Sequence, residues 1–242
     1  MAIKTFKRYE EKYIVNEIDV KLLLPEINRN MTPDAYCLDG RTYPTFNIYF
    51  DNDTNDIIRH SVAKPYFKEK LRIRSYFSDP EPDQTVFIEI KKKIGKTVCK
   101  RRAALKYKDA LAFIEKNEYP YSCDYMQRQV MGEIEYFINT HNAKPAVYIR
   151  YDRYAFFDNE NPQIRLTFDS NIHTRRDRLY FGCGTDGELL LDDKTFVMEL
   201  KIIGAVPLWL ADLLSELGIF HTGFSKYGRE YTAHRLLSKL SV

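Results

Sequence analysis

Charged side chains recur on one face of three predicted strands. Residues 71–74 alternate arginine with leucine and isoleucine, and residues 86–93 and 197–203 place acids and lysines between apolar residues. Successive side chains of a strand point to opposite faces, so charged side chains two positions apart share a face. The pairs that share a face are Arg72 with Arg74, Glu89 with Lys91, and Glu199 with Lys201.

These residue types suit the binding of phosphate chains together with a divalent metal. Arginine donates to phosphate oxygens in a planar, bidentate geometry, and lysine adds a compact positive charge. Carboxylates are ligands for Mg²⁺ or Mn²⁺, which also bind the phosphates of a substrate. We therefore predict phosphate-binding cations and metal-binding carboxylates on these strand faces.

The same alternation continues along most of the chain. It adds further charged side chains to the candidate set: Arg8, Glu10, Lys12, Lys100, Arg102, Arg153, Arg165 and Asp169. The periodicity by itself leaves two arrangements open. The charged faces either meet water on the outside of a sandwich, or line the inside of a closed barrel.

The elements that must position these side chains alternate strands with helices. Asn16 predicts the start of a helix that continues to Asn30, because asparagine caps a first helical turn well. Other helices are predicted over 55–64, 107–117, 124–142, 207–217 and 229–240. Strands are predicted over 5–15, 43–50, 67–77, 84–94, 96–106, 146–157, 163–171 and 195–203, with two short strands within 178–191. The fold class is therefore α+β, with a mostly antiparallel sheet, helices inserted between strands and a C-terminal helix.

Residues 182–187 match the spacing G-x-G-x-x-G of a dinucleotide site. Such a site needs a helix directly after the glycines, but residues 188–193 are too few for one and precede another strand. We therefore predict a glycine-rich turn here and no nucleotide site.

Length and composition narrow the class of protein. The chain of 242 residues has no low-complexity break, which predicts a single domain over 1–242. A net charge of only +3 argues against a general nucleic-acid-binding protein. Four isolated cysteines indicate free thiols in a reducing compartment. There is no apolar signal region and no membrane-spanning run of about 20 apolar residues, so the expected location is the cytoplasm.

Eight segments carry a family resemblance, and they occur in one order along nearly the whole chain. They are FKRYEEKY (6–13), IYFD (48–51), LRIRSY (71–76), FIEIK (87–91), YDR (151–153), IRLTFD (164–169), MELK (198–201) and FSKY (224–227). In these segments the chain resembles a VTC domain. This is the polyphosphate polymerase branch of the triphosphate tunnel metalloenzymes, which are CYTH-like proteins.

The resemblance implies a fold and a reaction. The fold would be an antiparallel eight-stranded β-barrel that forms a tunnel decorated by helices. The reaction would be transfer of the ATP γ-phosphate to a growing polyphosphate chain, with release of ADP and with Mn²⁺ or Mg²⁺ as cofactor. ATP and inorganic polyphosphate are then the expected ligands. Some relatives also imply a membrane-protein partner that accepts the product.

The resemblance also assigns roles to individual residues. Glu199 matches the metal-binding glutamate, and we add Glu89 and Glu10 as candidate metal ligands. The expected catalytic residues are Arg72, Arg74, Lys91 and Lys226. The expected phosphate-binding set is Arg8, Lys12, Arg72, Arg74, Lys91, Lys100, Arg153, Arg165, Lys201 and Lys226.

One departure bears on the activity. Hydrolytic tunnel enzymes share an N-terminal Glu-x-Glu-x-Lys, whereas this chain has Arg8-x-Glu10-x-Lys12. Arginine in the first position removes a metal ligand, which favours the polymerase over a hydrolase. Two alternatives remain: a triphosphatase or tripolyphosphatase on the same fold, and a non-catalytic module that binds polyphosphate or inositol phosphates.

Overall fold

The computed structural model describes residues 8–95 and 97–240, with side chains described from Tyr9 to Leu237 within those ranges. Within these ranges the fold has ten strands, six α-helices and one 3-10 segment, Ala35–Gly40. The helices are α1 (Glu17–Asn30), α2 (Asp56–Val62), α3 (Tyr107–Lys116), α4 (Tyr125–His141), α5 (Leu208–Glu216) and α6 (Lys226–Leu240). The strands are β1 (Arg8–Asn16), β2 (Met31–Pro33), β3 (Tyr43–Asp51), β4 (Phe67–Ser75), β5 (Thr85–Ile94), β6 (Thr97–Lys106), β7 (Lys144–Asp158), β8 (Arg165–Arg175), β9 (Glu188–Leu189) and β10 (Thr195–Ile203).

All the strands belong to one antiparallel sheet. Eight of them follow the order β1-β10-β8-β7-β3-β4-β5-β6, while β2 adds to β7 and β9 adds to β8. The sheet curls until its ends meet. Lys91 Nζ on β5 lies 2.8 Å from Glu10 Oε2 on β1, although five strands separate β1 from β5 in the order. The sheet therefore encloses a tunnel.

The seam of the tunnel lies between β1 and β6. These two edge strands approach each other, but they form no hydrogen-bonded ladder within the described ranges. The expected eight-stranded antiparallel tunnel is thus confirmed in its main strands, and two short strands raise the total to ten. The difference from a closed barrel is that no ladder of backbone hydrogen bonds joins the described parts of these two strands.

Apolar residues cover the outer face of the sheet and pack against the helices. The outer residues of β3 to β6 form one core with α3 and α4, including Phe113 and Phe137. The outer residues of β1, β8 and β10 form a second core with α1 and α5, including Leu23 and Leu210. The apolar residues of each strand are buried between the sheet and the helices. The charged residues that alternate with them therefore point to the opposite face, which is the interior of the tunnel.

A third apolar cluster fills one end of the tunnel beside β7, β8 and β10. Val147 and Ile149 of β7 and Val197 of β10 pack there against Ile58 of α2 and Tyr227 of α6. The buried carboxylate of Asp51, at the end of β3, holds these two helices in place. It accepts hydrogen bonds from the Ile57 and Ile58 N–H groups and from the Tyr227 hydroxyl.

Most predicted elements are present near their expected bounds. The predicted helix from Asn16 is confirmed as α1, and its capping box is complete. The Asn16 side chain accepts from the N–H groups of Ile18 and Asp19, and the Asp19 carboxylate accepts from the Asn16 N–H. The first predicted strand began at residue 5, and its residues 5–7 lie outside the described residues.

Two predictions near the C-terminal half need correction. Two short strands were expected within 178–191, but only Glu188–Leu189 pairs, because the glycine turn occupies most of this segment. Gly182 and Gly184 have φ angles of 90° and 83°, which favour glycine, and a two-residue strand rather than a helix follows. The last helix starts at Lys226, three residues before its expected start, so Lys226 lies in its first turn.

We expect Tyr227→Phe to lower the free energy of unfolding by about 1.5–3 kcal/mol, the usual range for a hydrogen bond to a charged group. The Tyr227 hydroxyl donates to Asp51 Oδ2 at 2.8 Å, and both residues are buried. Urea denaturation would measure the change. Tyr136→Phe, at an exposed position of α4, is the control and should leave stability unchanged. Equal stability of the two variants would contradict the proposed anchoring of α6 by Asp51.

Candidate functional site

The tunnel interior collects cations from seven strands and from α6. Its described side chains include nearly all of the predicted phosphate-binding set, drawn from β1, β4, β5, β6, β7, β8 and β10. Each cation approaches a carboxylate or a polar side chain, so they form three groups rather than a uniform positive lining. The side chain of Arg8 lies outside the described residues, so its expected role stays a prediction.

The first group is centred on Asp169 of β8, which is fully buried. Arg153 of β7 binds it with two parallel hydrogen bonds, from Nε to Oδ1 at 2.6 Å and from Nη2 to Oδ2 at 2.8 Å. Lys226 Nζ donates to Oδ2 at 2.5 Å. Burial raises the pKa of Asp169, but the charges of Arg153 and Lys226 outweigh it and lower the pKa to about 2.

Tyr151 of β7 lies in the same group. Arg74 Nη2 donates to its hydroxyl oxygen at 2.8 Å, and the Lys226 ammonium lies 4.5 Å from the ring centroid. Arg74 is held from its other side by the Asn47 side-chain oxygen, at 2.8 Å from Nε. Burial raises the pKa of Tyr151, but the guanidinium groups of Arg153 and Arg74 lower it to about 8. The first group therefore contains a phenol that titrates close to neutral pH.

The second group is centred on Glu89 of β5. Its Oε2 accepts from Arg72 Nε at 2.8 Å and Nη2 at 2.7 Å, and its Oε1 accepts from Lys100 at 2.8 Å. Arg72 also donates to the Tyr49 hydroxyl at 2.9 Å. Glu89 is only 2% exposed. Burial raises the pKa of Glu89, but the charges of Arg72, Arg74 and Lys100 outweigh this effect and lower the pKa well below its usual range. Glu89 therefore stays ionised.

The third group contains two neighbouring carboxylates, Glu10 of β1 and Glu199 of β10. Lys12 Nζ lies 3.1 Å from Glu10 Oε1 and 4.0 Å from Glu199 Oε2, and Lys201 Nζ lies 2.8 Å from Glu199 Oε1. Burial and Glu199 raise the pKa of Glu10, but Lys12, Lys91 and Lys201 lower it to about 2. Burial also raises the pKa of Glu199, and its lysine neighbours lower it well below its usual range. Both carboxylates are therefore ionised.

The three predicted metal ligands are divided between two groups. Glu10 and Glu199 are neighbours, whereas Glu89 is held by Arg72 and Lys100 in the second group. In the part of the chain that the structure describes, no three His, Cys, Asp or Glu side chains form a group that could hold a metal ion. Two ionised carboxylates nevertheless fit Mg²⁺ or Mn²⁺, because such ions take their other ligands from substrate phosphates and water.

Three of the predicted cations lie toward the two ends of the tunnel. Arg165 Nη2 lies 3.0 Å from Asp34 Oδ2 and donates at 3.0 Å to the Tyr43 hydroxyl, at the end formed by the start of β3. Lys91, which binds Glu10, and Lys100 are more exposed, at 39% and 43% of the side chain. They lie toward the opposite end and pair with each other across the β5–β6 ladder.

Lys70 of β4 is a further tunnel residue that sequence reasoning missed. It shares the inner face with Arg72 and Arg74, so the same alternation that identified those arginines also indicates Lys70. Its Nζ donates to the Ser225 hydroxyl at 3.1 Å, and no carboxylate lies within 4.0 Å of it among the described residues. Burial, and after it the charges of Lys68, Lys12 and Lys91, lower the pKa of Lys70 to about 7.

An antiparallel tunnel lined by paired cations and carboxylates defines the class of triphosphate tunnel proteins. Within that class, the VTC domain model matches residues 7–234, and the chain belongs to this family. Members of the tunnel class normally use divalent metals. No curated protein sequence matches the chain. Within the described part of the chain, no helix has both the length and the apolar character needed to cross a bilayer.

Three solved structures are similar to the chain at low sequence identity. A candidate adenylate cyclase from Bacillus halodurans has 15% sequence identity and a TM-score of 0.52, with 90% of this chain and 95% of that chain covered. A protein of the same description from Vibrio parahaemolyticus has 10% identity and a TM-score of 0.46, with 94% and 99% covered. The Mimivirus capping enzyme triphosphatase has 12% identity and a TM-score of 0.36, with 88% and 87% covered. At such low identity, the first of these supports the fold alone.

We expect Lys70→Met to stabilise the ligand-free protein, and to do so more at pH 7 than at pH 10. The folded pKa of Lys70 is about 7, below its ordinary value of 10.5. Between these values the unfolded chain binds a proton that the folded chain does not, so wild-type stability falls as the pH drops from 10.5 to 7. Methionine does not bind a proton, so the Lys70→Met protein should not lose this stability as the pH falls. Urea denaturation across the pH range would measure the difference.

Lys92→Met is the matched control. Lys92 lies on the outer face of β5, where Glu133 is its partner at 3.5 Å. The difference in the free energy of unfolding between Lys92→Met and wild type should be the same at pH 10 and at pH 7. A Lys70→Met protein whose stability difference is independent of pH would show that Lys70 is not held in an unfavourable cationic environment.

Proposed function

We propose that the protein is an ATP-dependent polyphosphate polymerase that transfers the ATP γ-phosphate to the end of a polyphosphate chain and releases ADP. The observation that carries the proposal is the convergence of Arg72, Arg74, Arg153 and Lys226 on one enclosed tunnel. Membership of the VTC family supports the same activity. A linear chain of phosphates is the ligand whose shape and repeated charge match such a lining.

The buried carboxylates hold the cations in position before substrate arrives. Asp169 fixes the guanidinium of Arg153, and Glu89 fixes that of Arg72, each by two hydrogen bonds from the arginine. Each arginine keeps further N–H groups that can donate to phosphate oxygens. Donors that are already oriented lose little entropy when they bind the substrate or the transition state.

In the proposed step, a terminal oxygen of the polyphosphate chain attacks the γ-phosphorus of ATP. The bond between that phosphorus and the β–γ bridging oxygen breaks, and ADP leaves with the bonding electrons. Arg74, Arg153 and Lys226 would neutralise the charge that spreads over the transferring phosphate. A divalent ion held by Glu10 and Glu199 would supply further neutralisation of the phosphate oxygens.

The lowered pKa values of two tunnel carboxylates make them poor general bases. Hydrolysis is aided by a general base whose pKa lies near the working pH. The pKa values of Glu10 and Asp169 are lowered to about 2, which makes both carboxylates weak bases. An acceptor phosphate is already anionic and needs no base, so transfer to phosphate is compatible with this arrangement.

Incubation of the protein with ATP and Mn²⁺, followed by gel electrophoresis, tests the proposal. We expect a ladder of long phosphate chains together with ADP. Free phosphate without a ladder would instead indicate a triphosphatase. Tight binding of polyphosphate with neither product would indicate a non-catalytic binding module.

We expect Arg72→Lys to lower turnover at least about tenfold, a barrier change of about 1.4 kcal/mol. Lysine keeps the charge but loses the planar fork that binds Glu89 through two nitrogens and Tyr49 through the third. Steady-state rates of ADP release would measure the effect. Arg101→Lys is the control, because Arg101 lies on the outer face of β6 against Glu133 of α4. Equal rates for the two variants would show that Arg72 contributes only general positive charge.

A further inference from the structure

Four aromatic side chains from neighbouring elements form a row at one end of the tunnel. We call them the aromatic rim: Tyr36 of the 3-10 segment Ala35–Gly40, Tyr43 of β3, Tyr76 directly after β4, and Phe87 of β5. Successive rings meet edge to face, with centroid distances of 6.1, 5.9 and 6.0 Å. Tyr43, Tyr76 and Phe87 occupy the same inner face as the tunnel cations.

The aromatic rim is continuous with the cationic lining. The Tyr43 hydroxyl accepts from Arg165 Nη2 at 3.0 Å. Phe87 pairs with Arg74 across the β4–β5 ladder, and the Arg102 guanidinium lies 4.8 Å from the Phe87 ring centroid. A ligand that contacts these rings therefore has phosphate-binding arginines directly beside it.

Two members of the aromatic rim are open to solvent. Tyr36 is 76% exposed and Tyr76 is 40% exposed. Packing of the tunnel wall does not need exposed ring surface, whereas a planar ligand does. Among the described residues, the inner face at the opposite end carries the lysines Lys70 and Lys91, and α2 and α6 pack beside it.

We propose that the aromatic rim binds the base of the nucleoside triphosphate, with the phosphates extending past Arg165 toward Arg74 and Arg153. This inference rests on the proposed use of ATP as phosphate donor and assigns the end of the tunnel at which the nucleoside lies. Aromatic side chains stack on nucleobases, and a nearby guanidinium adds to the attraction. Inorganic polyphosphate has no planar apolar part, so the aromatic rim would distinguish the nucleotide donor from the phosphate chain.

The contribution of the base to binding can be measured with two ligands that both contain three linked phosphates, of which only one carries a nucleoside. ATP and inorganic tripolyphosphate would be titrated by calorimetry against the full chain in one Mn²⁺-containing buffer. We expect Tyr76→Ala to weaken ATP binding by about fivefold to a hundredfold, the range for loss of one stacked base. Its tripolyphosphate affinity should stay within about twofold of wild type. Tyr76→Phe keeps the ring and should restore ATP binding.

Tyr66→Ala is the matched control. Tyr66 is 77% exposed and directly precedes β4, whereas Tyr76 directly follows it, so the two tyrosines flank the same strand at opposite ends. Tyr66→Ala should leave both affinities unchanged. Tyr36→Ala is a second test at a more exposed position of the rim, and it should weaken ATP binding selectively even if Tyr76→Ala does not fold.

Other outcomes overturn the inference in distinguishable ways. If Tyr76→Ala and Tyr36→Ala both bind ATP as wild type does, the rim makes no contact with the base. If they lose ATP and tripolyphosphate equally, these tyrosines support the phosphate site and do not bind the base. If wild type binds tripolyphosphate but not ATP, the nucleoside site is absent. If wild type binds neither ligand, the proposed polymerase function fails together with the inference.

Discussion

The structure depends on the pairing of many cations with a few buried carboxylates inside one tunnel. An isolated buried charge is costly, but a buried charge with opposite partners and hydrogen bonds is tolerated. Asp169 has two cationic partners, Glu89 has two, and Glu199 has Lys12 and Lys201. Without these carboxylates most of the inner cations would lack an opposite charge, and the curled sheet would be less stable.

This pairing also prepares the tunnel for an anionic ligand. The carboxylates orient Arg72 and Arg153, but the described hydrogen-bond partners of the Arg74 side chain are neutral, Asn47 and Tyr151. Lys70 likewise has a hydroxyl partner and a lowered pKa of about 7. Among the described residues neither of these two cations has a carboxylate within 4.0 Å, so a phosphate bound beside β4 would supply the opposite charge that they lack.

The fold separates hydrophobic stability from the chemistry of the interior. The α-helices α1, α3, α4 and α5 pack on the outer face of the sheet, whereas α2 and α6 pack at an end of the tunnel. Asp51 ties both of these helices to β3, and the same helix α6 carries Lys226 to Asp169. The placement of α6 thus closes part of the tunnel and also brings Lys226 to Asp169 in the first group of the site.

Alternation in the sequence was enough to predict which charged residues share a face, because side-chain direction in a strand follows from local backbone geometry. It identified Arg72 with Arg74 and Glu199 with Lys201, and Asn16 marked the start of α1 by local capping chemistry. Local geometry could not decide between the inside of a tunnel and the outside of a sandwich. That choice depends on the curl of the sheet, which brings Glu10 to Lys91 across five intervening strands. The pairing of Lys226 with Asp169 and the ring contact between Tyr43 and Tyr76 likewise arise only in three dimensions, because each joins residues that are distant in sequence and that no local periodicity relates. The fold also places Glu89 apart from Glu10 and Glu199, which the alternation within each strand does not decide.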